Sequence, residues 1–179
     1  MHASSTAPTP SALPPLEWPT EGESRVPFRI YTDAEIYQQE QQRIFRGDTW
    51  HFVALAQEVP NSGDYKTNHI GDTPIIIARD PQGQVKVFVN RCAHRGSLLC
   101  IDGRGNKKDF TCIYHNWSYD FDGKLQGIAF KRGVRGQGGM PEDFDMEKHG
   151  LVRLRVEVLN GLVFATFSST VPPLSDWLG

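Results

Sequence analysis

Two short segments carry side chains that could do chemistry together: Cys92-Ala93-His94-Arg95-Gly96 and Cys112-Ile113-Tyr114-His115-Asn116-Trp117. Each offers one thiolate and one imidazole. Thiolate is a soft ligand suited to iron–sulfur clusters, and imidazole suits iron as well. A 2Fe-2S cluster in which two histidines replace two cysteines on one iron needs this donor set. Two loops of this kind meet the need when the cysteines, Cys92 and Cys112, converge on one iron and the histidines, His94 and His115, on the other. Residues 95–111 are long enough to form a hairpin that brings the loops face to face. Three other readings compete. Structural zinc sites usually draw on a Cys pair and a His pair rather than two mixed Cys/His segments. A Cys92–Cys112 disulfide leaves both histidines unexplained, and four unconnected core residues have no reason to fall in a double pattern.

Extended to Cys92-x-His94-Arg95-Gly96 with Cys112-x-Tyr114-His115-x-Trp117-x-Tyr119, the motif resembles the Rieske domain of ring-hydroxylating oxygenase large subunits. The resemblance covers about residues 25–179. Ser24-Arg25-Val26-Pro27-Phe28 with Tyr31-Thr32, and Gly133-Val134-Arg135-Gly136-Gln137-Gly138-Gly139-Met140-Pro141, are similar to the aromatic-carboxylate branch: terephthalate, salicylate and anthranilate oxygenases. It implies a Rieske 2Fe-2S cofactor on Cys92, His94, Cys112 and His115. The cluster would relay single electrons from a flavin or iron–sulfur reductase, or a ferredoxin, to a mononuclear non-haem Fe(II) that activates O2 for hydroxylation of an aromatic carboxylate. It further implies large-subunit trimers, contact with the catalytic domain of the same or a neighbouring large subunit, and a possible small beta subunit.

Four neighbours of the ligand positions are candidates for tuning. Gly96, next to Arg95, lacks a side chain and could let backbone amides approach the cluster sulfurs, which raises the potential by stabilising the reduced state. Trp117 and Tyr119 lie two apart on a strand and share a face that could cover the cluster or simply fill the core. High-potential respiratory members of the wider family place a serine where Trp117 stands and a disulfide across the positions of Ser97 and Tyr114. Tyr119 keeps their second donor position. The resemblance therefore implies a potential at the low end of the Rieske range.

The large subunits continue into a domain that holds iron through two histidines and a carboxylate. Here the sequence reaches Gly179 at the point expected for a linker to that domain, and His2, His51, His69 and His149 are scattered, as surface or strand histidines would be. The expected role of this chain is electron transfer, with no acid, base or nucleophile of its own. A stand-alone Rieske ferredoxin is the rival reading, although such carriers are usually shorter and lack an N-terminal helix and a Gly-rich insertion. Cys100 reads as a small buried apolar residue.

The elements that must position these residues are mostly strands. Residues 1–24, rich in Pro, Ser, Thr and Ala, read as a disordered tail, followed by an arm and helix over 25–47, a Rieske domain over 48–170, and the start of a linker over 171–179. Thr32-Asp33-Ala34-Glu35 has capping-box spacing, with Thr32 as the cap, and Ile36, Tyr37, Ile44 and Phe45 share a face interrupted by Glu40 and Gln41. Short β-branched or aromatic runs follow from residue 50, punctuated by turns, with Asn160-Gly161 marking a hairpin. The expected fold is an all-β antiparallel sandwich or barrel with a cluster-binding subdomain and a short N-terminal helix. Arg104, Lys107 and Lys108 read as a solvated turn, and residues 127–141 as a flexible Gly-rich excursion. The net charge of -2 gives no basic field for nucleic acid, and no apolar run approaches the roughly 20 residues of a membrane span. Three cysteines and no export signal point to a reducing cytoplasm.

Overall fold

A computed structural model describes residues 16–19 and 25–179, so the tail expected over 1–24 lies, but for 16–19, outside the described residues. The chain divides into two compact units, Met1–Gln39 and Glu40–Gly179. In the first, a 3-10 turn at Phe28–Tyr31 leads into helix α1 (Ala34–Glu40). The helix is capped by Asp33, not by Thr32. Asp33 Oδ1 accepts from the amides of Glu35 (2.8 Å) and Ile36 (3.3 Å), whereas Thr32 closes the preceding turn with its own N–H on Arg29 O. The carboxylate takes the cap because the helix begins at Ala34, which puts Asp33 rather than Thr32 at the residue before its first turn.

The second unit opens with a π turn at Gln41–Phe45, so the expected helical stripe is not one regular α-helix. Gln41 explains the change. Its side chain is buried and accepts from the Asp72 amide at 2.9 Å, so the polar residue that interrupts the apolar stripe points inward. Gly47 follows where a Cβ would stand 2.0 Å from Arg43 O.

The described strands form three antiparallel sheets. Strands β1 (His51–Leu55), β9 (Arg155–Leu159) and β10 (Leu162–Thr166) make one, in the order β1-β10-β9. Strands β2 (Asp64–Ile70), β3 (Thr73–Arg79), β4 (Val85–Val89) and β5 (Arg104–Asn106) make the second, ordered β4-β3-β2-β5. Strands β6 (Phe110–Thr111), β7 (Ser118–Tyr119) and β8 (Leu125–Gly127) make the small third sheet. The β9–β10 hairpin turns through Asn160 and Gly161, both at positive φ, as its Asn-Gly signal requires.

Strand β3 is the middle of the second unit. Ile75 and Ile77 pack with Val53, Val163 and Ala165 of the first sheet, while Ile76 and Ala78 on the opposite face pack with Phe88, Phe110 and Tyr119 toward the third. A strand covered on both faces needs no polar alternation, which is why its sequence reads as an unbroken isoleucine run.

Two sequence expectations change here. Arg104 belongs to an exposed edge strand paired with β2 rather than to a turn, and Lys107 lies over the Tyr65 ring. Residues 127–141 are stitched by backbone bonds, with Met140 N donating to Lys131 O and a tight Val134–Gln137 turn through Arg135 and Gly136. Within 171–179, Val171 and Leu174 are buried beside Trp50, and Leu174–Leu178 form the short helix α2.

Candidate metal centre

The two candidate ligand loops have the same backbone. In the loop after β4, Cys92 N donates to Ser97 O and Gly96 N donates to Cys92 O, both at 2.8 Å. In the loop between β6 and β7, Cys112 N donates to Trp117 O (2.8 Å) and Asn116 N to Cys112 O (2.9 Å). Each loop is thus a turn whose first residue is a cysteine and whose fifth residue must take positive φ: Gly96 at 71° and Asn116 at 54°. Glycine and asparagine are the residues that tolerate that conformation. A Cβ on Gly96 would meet no protein atom within 4 Å. The glycine serves the turn, and the space beside it is open among the described residues.

The turns present their donors in two pairs. Cys92 and Cys112 are buried at 3% and 2% exposure, and the two thiols lie against each other. Burial pushes the Cys92 thiol up; the Tyr119 hydroxyl and the His94 amide, both bonded to its sulfur, pull it down, and Cys112 adds to the rise. On the outer side, the His94 and His115 rings stand edge to face with centroids 4.7 Å apart, His94 half-buried and His115 exposed. Burial and the nearby charges of His115 and Arg95 lower the His94 pKa, favouring the neutral imidazole that a metal requires. Among the described residues no three His, Cys, Asp or Glu side chains gather where a single ion could be held. A pair of thiols behind a pair of imidazoles fits a cluster with chemically distinct irons.

Tyr119 meets the thiol pair and Trp117 the imidazole pair. Tyr119 is fully buried, with its hydroxyl 3.2 Å from Cys92 Sγ and accepting from the Ala93 amide at 3.1 Å. Burial raises its pKa, so it stays protonated with a hydrogen to offer the sulfur. Trp117 stacks on His94 at 4.8 Å with the planes 12° apart. Arg95 is exposed, and no hydrogen bond or ion pair holds it among the described residues.

Residues 49–136 match the family model described as "Rieske [2Fe-2S] domain". The chain carries a Rieske domain. Its relatives include the anthranilate 1,2-dioxygenase large subunit of Burkholderia cepacia, 51% identical over 164 residues, covering 92% of this chain and 39% of that protein. The terephthalate 1,2-dioxygenase terminal oxygenase component subunit alpha 2 of Comamonas sp is 48% identical, covering 92% of this chain and 40% of its own length. The fold is similar to that of naphthalene 1,2-dioxygenase with indole bound in the active site, at TM-score 0.75 and 35% identity over 84% of this chain and 32% of that one. The chain thus spans about two fifths of the length of these curated relatives.

Several residues around the Rieske loops escaped the sequence reading. Asn90, at 2% exposure, accepts from the amides of Leu99 and Cys100 and donates to Cys100 O, tying the segment after the first loop to the end of β4. Its signal was an asparagine closing an apolar strand. His149, read as scattered, packs against Trp117, while His51 stacks on Phe45 within the fold and His69 lies exposed on β2. Cys100 is buried, and burial pushes its thiol up to about 11, as suits an inert core residue. No helix among the described residues is long and apolar enough to cross a membrane.

Proposed function

We propose that Cys92 and Cys112 hold one iron and His94 and His115 the other, and that the domain relays single electrons to the mononuclear iron of an aromatic-carboxylate oxygenase. The observation that carries this reading is the segregation of buried thiols from outward-facing imidazoles. The bound cluster supplies a one-electron couple. The chain does the rest. Buried sulfurs exclude water from one iron, Tyr119 donates to Cys92, and the imidazole side with exposed His115, Tyr114 and Ile113 forms the contact by which electrons enter and leave. The electron donor would be a reductase or ferredoxin, and the acceptor a catalytic domain of the kind the longer relatives contain. The cytoplasm fits three cysteines that form no disulfide.

Protein purified without oxygen should be red-brown and contain two irons and two acid-labile sulfides per chain. One zinc and no sulfide would refute the assignment.

The potential is a second, independent expectation. Trp117 offers no hydroxyl, and Ser97 and Tyr114 can form no disulfide, leaving Tyr119 as the side-chain donor seen on a cluster sulfur position. The midpoint should lie near the low end of the Rieske range, at roughly -150 mV. Tyr119→Phe should lower it further by about 40 mV, the equivalent of a net hydrogen bond of about 1 kcal/mol for one electron. Protein-film voltammetry at neutral pH reads both, and a midpoint above zero, or an unmoved Tyr119→Phe variant, contradicts the account.

A further inference from the structure

The two imidazoles are of one chemical type but are held differently. His94 has a flat wall: Trp117 lies parallel to it at 4.8 Å. His115 meets its neighbours only by edges, His94 at 4.7 Å and 80° and Tyr114 at 4.7 Å and 84°, and is otherwise exposed.

The wall is itself backed. Phe144 and His149 each meet Trp117 edge-on at 5.8 Å, and they stack on one another at 4.4 Å and 27°. His149 is fixed in turn, its Nδ1 donating to Asp145 O at 2.8 Å because a carbonyl oxygen can only accept. Asp145 also caps the 3-10 turn Met146–His149, accepting from Glu147 N at 3.0 Å, and just beyond the turn Leu151 N donates to Gly123 O at 2.7 Å. The turn is thus closed on itself through Asp145 and tied just beyond its far end to Gly123, with Phe144 before it and His149 at its end both packed on Trp117. Phe144 and His149 lie outside residues 49–136 that match the Rieske model, and in neither candidate ligand loop.

We infer that Phe144 and His149 are positioning residues of the cluster, acting through Trp117 to fix the plane of the His94 ring. This rests on the reading of His94 as a ligand. The torsion that turns an imidazole about its Cβ–Cγ bond is broad and has no strong minimum of its own. A ring in contact along one whole face removes that freedom, whereas edge contacts to exposed groups do not. Groups behind a ligand that set its orientation also set how firmly the metal is held. The brace makes the two histidine ligands unequal, with His94 anchored and His115 free to adapt at the exposed face.

The test compares cluster-loaded variants. Phe144→Leu keeps an apolar side chain but removes the ring, His149→Ala removes the second ring, and His149→Phe restores a ring without the Nδ1 bond. Iron and sulfide content are measured first, so that a wild-type protein without a two-iron cluster exposes a failed ligand assignment rather than a failed brace. Electron paramagnetic resonance of the reduced cluster then reads the spread of ligand orientations as linewidth, and a chelator reads ligand hold as the rate of cluster loss. Phe144→Leu and His149→Ala should give broader lines and lose the cluster about tenfold faster than wild type, and His149→Phe should return both toward wild type. If His149→Ala fails to load, Phe144→Leu and His149→Phe decide by themselves. Wild-type lines and loss rate in Phe144→Leu overturn the inference.

Discussion

Serine at Cys92 or Cys112 should yield colourless protein without sulfide, while serine at Cys100 should leave two irons and two sulfides in place. All three cysteines are buried to nearly the same degree, so burial alone does not distinguish them. What separates them is company. Cys92 and Cys112 lie against each other, each opening a turn that also delivers a histidine, and Cys92 receives the Tyr119 hydroxyl. Cys100 is held through its backbone by the Asn90 side chain and belongs to neither Cys/His turn. On the proposed assignment, serine at either position removes a thiolate from the iron it holds, whereas Cys100 stands in neither turn. The effect is therefore all or nothing. Metal and sulfide analysis on the three variants checks it, and cluster loss in the Cys100→Ser protein would mean that the cysteines have been assigned wrongly.

Asn90→Ala should be the most damaging single change away from the cluster. The side chain is buried and makes three hydrogen bonds to the backbone of Leu99 and Cys100, at 3.0, 3.0 and 2.7 Å. Alanine leaves two amides and one carbonyl without those partners in an apolar cluster that contains Leu99, Cys100 and Cys92. Each unmet buried group costs about 1–3 kcal/mol, so a loss of about 3 kcal/mol or more is expected. With a urea dependence of about 2 kcal/mol per molar, the unfolding midpoint should fall by roughly 1–2 M. The segment released follows the first ligand loop, so the cluster absorbance should bleach in the same transition. An unchanged midpoint would show that Asn90 does not hold this segment.

These two expectations differ in how far they can be read from the sequence, and the difference has a physical origin. Ligand chemistry is a property of residue type, and its spacing is short-range. Two Cys/His segments, a glycine four residues after the first cysteine and an Asn-Gly turn between two apolar strands were all legible, because each acts within a few bonds of itself. The family match over 49–136 and the antiparallel sheets agree with that reading. Local signals failed where two candidates for one job stood side by side. Thr32 and Asp33 could each cap α1, and only the point at which the helix leaves the preceding 3-10 turn, at Ala34, decided for Asp33. Gln41 looked like a defect in an apolar stripe until the Asp72 amide supplied its partner from thirty-one residues away.

The remainder belonged to tertiary structure alone. Trp117 and Tyr119 shared a strand by sequence, but which candidate ligand each would touch depended on how the third sheet sits against the first Cys/His loop. The fold set Tyr119 on Cys92 and Trp117 on His94. His149 carried no motif at all. Its place behind Trp117 follows from a turn closed on Asp145 and tied through Leu151 to Gly123, a long-range contact that no periodicity or spacing encodes. The sequence by itself determined which atoms could bind iron, because coordination follows from side-chain chemistry and near-neighbour spacing. Only the tertiary structure decided how those side chains are oriented, because orientation is imposed by packing between segments far apart in the chain.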